Sequence, residues 1–223
     1  MVRDRQNLAA SKFLYLIMIK AKEKKERALG ERLHLKGRCL TAKCAAVRKP
    51  YKPGVHGQSR KGGNRTLSEF GRQIKEKQKF KVSYGLTEKN LKNIFEAALK
   101  TKGSTAAKLI ELLERRLDNA IFRLGFSVSR QSARQLINHG HIFVNKSRVR
   151  SPGFLLKKGD IIAFRSESKD IKVVKDIVDS IKKYEAPEWL ILDKEKLEGR
   201  VIKEPNDLTP PFEVSLLIES FSK

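Results

Sequence analysis

Cysteine is scarce: Cys39 and Cys44 are the only two in 223 residues, which rules out a disulfide framework. Long apolar runs are missing as well. The early run Phe13 to Ile19 falls far short of the ~20 residues that a membrane span requires. Basic residues precede it, as in a secretory leader, but lysine-rich sequence follows where small cleavage-site residues would stand. Initiation at Met18 is the plainer alternative, leaving residues 1–17 as a loose extension. The expectation is a cytoplasmic protein. There is no P-loop, no G-x-G-x-x-G and no nucleophile elbow. Aromatic residues make up 7%, and none interleaves with basic residues as a single-strand stacking platform requires.

Acidic residues are also in short supply. Lys and Arg number 49 against 25 Asp and Glu, a formal charge of +24. A compact fold with that excess repels itself unless a polyanion or counterions neutralise it. Hydrophobic residues reach 39%, enough for one or two domains with real cores, so the charge is not a sign of wholesale disorder. The excess is graded along the chain. Residues 1–103 hold 27 basic and 8 acidic side chains, residues 104–150 hold 9 and 3, and residues 151–223 hold 13 and 14. A merely solubilising surface would not be graded this way. The front of the chain reads as a surface for a phosphate-dense partner, and the last third as scaffold without any paired carboxylates tied to a pocket.

Hydrophobic spacing sets out the elements. Residues 20–32 read as a charged helix ending near Gly30, and residues 36–66 as a long basic loop whose prolines and glycines forbid a regular element. Val47, Tyr51 and Val55 within it favour a segment that orders on RNA over a floppy tail. A helix follows from Thr66 or Ser68, with Phe70, Ile74, Lys77 and Lys81 on one face. Thr87 caps the next, which carries Leu91, Phe95 and Ala98 at helical spacing. One further helix is expected from Ser104 through Leu124, and a short one from Ser129 to Gly140. Strands are expected at Ile142–Val144, Arg148–Arg150, Ile161–Phe164, Trp189–Leu192 and Val214–Ile218, with an amphipathic helix over 169–184.

The densest constellation is residues 115–164. Basic residues (Arg123, Arg130, Arg134, His139, Lys146 and Arg148 among them) alternate there with apolar ones, which puts a core on one side and cations on the other. Arg130 and Arg134 share a helix face, and arginine's planar fork suits phosphate oxygens. His139 and His141 flank Gly140 but have no acidic or thiol neighbour, so phosphate contact or loop packing is favoured over metal or general-base roles.

The stretch RLDNAIFRLGFSVSRQSARQLINHGHIFVNKSRVRSPGFLLKKGDIIAF resembles the S-four RNA-binding domain. Taken with KPYKPGVHGQ (49–58), LSEFGRQIKEKQK (67–79), YGLTEKNLKNIFEAA (84–98), KGST (102–105) and the ending WLILD, Gly199, Pro205 and LLIESFSK, residues 20–223 are similar to the bacterial-type small-subunit ribosomal protein S-four family. The resemblance implies a primary binder of small-subunit rRNA that nucleates assembly of the subunit body. It also implies a place beside small-subunit proteins five and twelve, near incoming mRNA, with an influence on translational accuracy. Two departures stand out. Many relatives carry two cysteine pairs that bind zinc, whereas here only Cys39-x4-Cys44 is present; His34 and His56 have unsuited spacing, so neither metal nor cofactor is expected. Lys146 also stands in the hairpin turn where glycine would be expected, which costs ~1 kcal/mol if its backbone is left-handed.

A rival reading takes Arg116-Leu117-Asp118 for the R-L-D string of pseudouridine synthases, with Asp118 as nucleophile. No separate catalytic domain follows it, so the expectation is a binder and not an enzyme, with Asp118 pairing a nearby arginine. The expected fold is α+β: a mainly helical N-terminal lobe completed by the C-terminal tail, with an inserted S-four RNA-binding domain of two helices and a small β unit. The boundaries are an uncertain extension at 1–19, an rRNA-binding lobe at 20–114, the inserted domain at 115–177 and a C-terminal segment at 178–223 packing back on the N-terminal lobe. Expected RNA contacts are Lys49, Lys52, His56, Arg60, Lys61, Arg72 and Lys75 in the first lobe. In the inserted domain they are Arg123, Arg130, Arg134, His139, Lys146 and Arg148. Recognition by RNA shape and phosphate geometry fits this inventory.

Overall fold

The computed structural model describes residues 23–33, 35–36, 42, 44–58, 67–168, 174, 177–178, 181, 184–205 and 212–222. The extension at 1–19, His34, Cys39, Arg60 and Lys61 lie outside the described residues. The chain divides into two compact units, Met1–Glu69 and Phe70–Lys223.

In the first unit, residues 23–29 are helical and two buried carboxylates organise the loops around them. Glu26 accepts the backbone N–H groups of Leu33 at 3.2 Å and Leu35 at 3.0 Å. Glu23 accepts the Ala45 N–H at 3.3 Å and the Lys36 ammonium at 3.4 Å. Arg27 Nε donates to the carbonyls of Lys49 and Tyr51 at 2.9 and 3.1 Å, with its guanidinium 4.9 Å over the Tyr51 ring. The basic loop is thus held by side chains where no backbone ladder is available. It is not wholly irregular: Ala45–Arg48 makes one helical turn and Val55–Gln58 a 3-10 turn.

The second unit has two cores. Around the first lie α1 (Glu69–Ser83), α2 (Glu88–Leu99) and α3 (Thr105–Glu114). Thr87 and Ser104 cap the latter two, their hydroxyls accepting the Asn90 and Ala107 N–H groups. Phe80, Leu91, Phe95, Ala98, Leu109 and Leu113 are buried between them. The buried face of α1 carries Gln73, Glu76, Lys79 and Phe80, while Phe70 and Ile74 are 62% and 41% exposed. The core face is thus turned away from the Phe70–Ile74 line expected from sequence. A buried Glu76–Lys79 pair and the Gln73 amide, bonded to Glu219 at 2.9 Å, occupy it instead.

The second core belongs to α4 (Leu117–Arg123), α5 (Arg130–His139) and a five-stranded antiparallel sheet. Its strands are β1 (Ile142–Val144), β2 (Ser147–Arg148), β3 (Ile161–Phe164), β4 (Leu190–Asp193) and β5 (Glu198–Val201), in the order β2-β1-β3-β5-β4. Ile142, Val144, Ile162, Phe164, Leu190 and Val201 point inward against Leu117, Ile121, Leu124, Phe126, Ala133 and Ile137. Val174, Ile177 and Ile181 are helical and close the same core. Gly199 is required where β5 passes α4, because a Cβ there would stand 2.3 Å from Leu124 Cδ1.

Three expectations change. The single helix from Ser104 through Leu124 is two, because Arg116 is extended and bridges Leu155. The N–H groups of Leu117 and Asp118 turn to the carbonyls of Phe154 and Pro152, and the Leu156 N–H bonds Arg115 O. The loop at 152–156 thereby takes hydrogen bonds a continuous helix would have used. The segment Val214–Ser222 is a helix, α6, and not a strand. Its Val214, Leu217, Ile218 and Phe221 recur at helical spacing against the α1–α3 core, and burial there outweighs the β-branched propensity. Lastly, the sheet draws β4 and β5 from the segment 178–223, so among the described residues of that segment it is Phe212 and α6 that lie on the helical core.

Candidate nucleic-acid interface

The five arginines at the start of the inserted domain are mostly engaged within the protein. Glu114 sits at the end of α3 with 1% exposure and accepts four hydrogen bonds. They come from the Tyr84 hydroxyl at 2.7 Å, Asn119 Nδ2 at 2.7 Å, and Arg123 Nε and Nη2 at 3.0 and 3.1 Å. Burial alone would raise the Glu114 carboxyl, but the bonded Arg123 charge and the Tyr84 hydroxyl hold it below the usual range. Burial raises the Tyr84 hydroxyl strongly, and the adjacent Glu114 charge adds to the shift. Tyr84 therefore remains a donor at any ordinary pH.

Arg130 lies between two rings, its guanidinium 4.7 Å from the centroids of both Tyr84 and Phe122, while Nε donates to Asn119 Oδ1 at 2.7 Å. Burial weakens its hold on its proton. Arg134 donates to Asp118 at 2.6 Å, to the Tyr84 carbonyl at 2.9 Å and to the Gly85 carbonyl. Arg116 holds both Asp118 oxygens at 3.2 and 3.1 Å, and Arg115 bonds Glu111 at 2.7 Å and the Leu156 carbonyl at 2.9 Å. Arg123, Arg130 and Arg134 thus form a clasp between the helical core and the inserted domain. With 1% exposure and two arginines on it, Asp118 is not presented as a nucleophile.

Cations available to a partner gather at the other end of α5. His139 is exposed in its last turn, its ring stacked on His141 with centroids 6.1 Å apart. His141 Nδ1 lies 2.8 Å from Ser168 Oγ. Burial, then the charges of His139, Arg148 and Arg165, push the His141 imidazole below its ordinary value, which registers the positive field there. Gly140 follows with φ +75°, and the Arg148 guanidinium lies across it, where a Cβ would meet Nε at 2.2 Å. Arg148 Nη2 donates to the His139 carbonyl at 3.2 Å. The β1–β2 turn has positive φ at Asn145 (49°) and Lys146 (66°), as a two-residue primed turn demands. Asn145 secures it by donating to Asp160 at 2.8 Å and accepting the Ile161 N–H at 2.9 Å. Lys146 is left exposed at the tip, and Arg150, outside the predicted set, is exposed as well.

Elsewhere in the second unit Arg72 is exposed and Lys75 half-buried on α1. In the first unit Lys49 and Lys52 are exposed, and His56 lies within the 3-10 turn. Cys44 is buried as a free thiol, and the described residues hold no cluster of metal-ligating side chains. No helix among them is long and apolar enough to cross a membrane. What sequence alone missed is the division of labour among the arginines. The one available signal was Tyr84, Glu114 and Asp118, polar residues set in apolar helical surroundings.

The family model "Ribosomal protein S4/S9 N-terminal domain" matches residues 18–114, and "S4 domain" matches residues 115–162. The junction between them falls at the break between α3 and α4. Curated relatives named small ribosomal subunit protein uS4 align over most of the chain. The protein from Thermoanaerobacter sp. is 43% identical over 200 residues, covering 88% of this chain and 94% of its own. The Acetivibrio thermocellus protein is 44% identical over 204 residues and that of Thermus thermophilus 42% over 200, each with the same coverage.

Proposed function

The chain belongs to the uS4 family of small ribosomal subunit proteins, and on that footing we propose that it is a structural constituent of the small subunit that binds rRNA and is not an enzyme. It acts by holding phosphates in fixed geometry, with no covalent step. The observation that carries the reading is the match of both family models over 18–162 together with the exposed cations His139, Lys146 and Arg148 at the end of α5. Arginine and lysine neutralise phosphates and release condensed counterions, which supplies most of the affinity. The protein contributes preorganisation: Gly140 seats Arg148, and the Asn145 turn fixes Lys146.

In this reading residues 20–114 form the N-terminal rRNA-binding lobe, 115–177 the inserted RNA-binding domain, and 178–223 the segment that completes the fold. Lys49, Lys52, His56, Arg60, Lys61, Arg72 and Lys75 add contacts from the first lobe. The Tyr84–Glu114–Arg123 clasp fixes the α1–α3 core against the inserted domain, so RNA helices bound to each are held at a set angle. The protein would then nucleate assembly of the subunit body, touch small-subunit proteins five and twelve, lie near incoming mRNA and tune accuracy, all within the cytoplasm. Sedimentation tests the core of this. The protein should remain with small subunits through a high-salt wash, and release as a free protein in that wash would refute constituent status.

A further inference from the structure

The sequence shows no aromatic residues interleaved with basic ones, but the sheet register builds such an arrangement across strands. Directly paired residues of antiparallel strands project from the same face. Arg148 pairs with Phe143, Phe143 with Ala163, and Ala163 with Glu198. The outer face of the sheet therefore carries one row reading cation, aromatic ring, small residue, carboxylate. These four residues line one open pocket of about 790 Å³, together with Lys146 and with Ile161, which is 38% exposed. Phe143 is only half-buried, while its strand neighbours Ile142 and Val144 are in the core. Part of its surface therefore stays open on the outer face of the sheet.

We propose that this pocket receives an unpaired, amine-bearing nucleobase (adenine, guanine or cytosine) of the bound RNA. The inference rests on the RNA-binding reading above and deepens it. Three inter-strand steps separate Arg148 from Glu198, about 14 Å, a span suited to a nucleotide laid from phosphate to exocyclic amine. The phosphate faces Arg148 and Lys146. The base stacks on Phe143 and occupies the gap left by the Ala163 methyl, and its exocyclic N–H donates to the Glu198 carboxylate. Arg148 is exposed, and its bond to the His139 carbonyl uses one of its five N–H donors, so others can face the phosphate. Arg165 and Glu167, which also line the pocket, pair with each other, so the polarity facing an occupant is set by Arg148 and Lys146 against Glu198. An acidic peptide would gain at the Arg148 end but meet repulsion at Glu198 and at Asp193, which pairs with Glu198 in the same row.

The test uses the intact protein and a full-length small-subunit rRNA transcript. Ultraviolet cross-linking with peptide mass spectrometry should place an adenine, guanine or cytosine adduct within residues 142–148. Phe143→Leu, which keeps apolar bulk but removes the ring, should weaken binding roughly 5- to 100-fold. The salt dependence should be unaltered, since no phosphate contact is lost. Ala163→Leu fills the gap from the outer face and should show the same loss; it decides the matter if Phe143→Leu fails to fold. Parental binding with both folded variants within twofold would overturn the pocket while leaving the RNA-binding reading intact. Failure of the parent to bind any small-subunit rRNA would overturn that reading and the pocket with it. Variants that bind RNA normally but no longer retain a ribosomal protein in reconstituted subunits would show the face to be a protein-docking surface and refute the base site.

Discussion

The Tyr84 hydroxyl donates to Oε1 of Glu114 at 2.7 Å, across 30 residues of sequence and between the end of α1 and the end of α3. That contact draws the helical core, the Arg123 guanidinium and the ring sandwich around Arg130 into one hydrogen-bonded cluster. Its arginines are anchored to protein acceptors, with Arg123 and Arg134 still 30% and 26% exposed, so substitutions there are expected to act first on stability.

Glu114→Gln should destabilise the protein by about 3 kcal/mol, because it leaves Arg123 facing a neutral amide in a largely buried site. Tyr84→Phe removes one charge-assisted hydrogen bond but keeps the ring under Arg130, and should cost about 2 kcal/mol. Urea unfolding of both and of the double variant should give a combined loss smaller than additive.

The pH dependence follows from Glu114. Its folded-state value lies below the ordinary 4.5, so the folded form holds its proton less tightly than the unfolded one. The stabilisation is complete at neutral pH and is lost as pH falls from about 4.5 toward the lowered folded value. Thermal unfolding followed between pH 7 and 3 should show a loss in that window that is reduced in Glu114→Gln.

Arg134→Ala and Arg148→Ala should behave oppositely despite sharing one domain. Arg134 satisfies Asp118 and two carbonyls, so its loss should unfold the protein by roughly 3 kcal/mol or more. Arg148→Ala and Lys146→Ala should leave stability within ~0.5 kcal/mol. Each should weaken RNA binding and make the log–log salt slope shallower by about 1. Equilibrium unfolding and filter binding on the same preparations distinguish the two patterns.

Gly140→Ala probes the seat of Arg148. The left-handed φ of +75° and the guanidinium in the path of a Cβ both oppose the change. The expected outcome is a stability loss of ~1 kcal/mol or more, with an RNA-affinity loss matching that of Arg148→Ala. A mutant that kept full affinity would show that Arg148 needs no fixed position.

Across the whole interface about ten phosphate contacts are expected, which gives a log affinity against log salt slope of about −7 to −9. Filter binding over a salt series measures it. A slope near −2 would contradict an extended phosphate grip.

Much of the site was legible in the residues and part was not. Thr87, Ser104 and Ser129 announce their helices because capping is a local matter, settled within three residues. Charge on a helix face normally meets solvent, so local sequence presents Arg130 and Arg134 as free for phosphate and gives no sign of their bonds within the fold. Asp118 and Tyr84, their partners, are 16 and 46 residues from Arg134 and Arg130 respectively and give no local cue. The α6 segment carries 3-4 apolar spacing, but β-branched Val214 and Ile218 and the preceding Pro210 and Pro211 fit a short strand equally well, and packing on the helical core decides for helix.

The sequence by itself determined the charge excess, the gradient along the chain, the helix starts and the family. These depend on composition and on contacts among near neighbours, which survive any arrangement of the elements. Tertiary structure alone decided which arginines bond to acceptors within the fold and which stand exposed. It also decided that Arg148, Phe143, Ala163 and Glu198 stand in one row across four strands. Pairings at long sequence separation are selected by packing and hydrogen-bond satisfaction over the whole fold, and no short-range pattern encodes them.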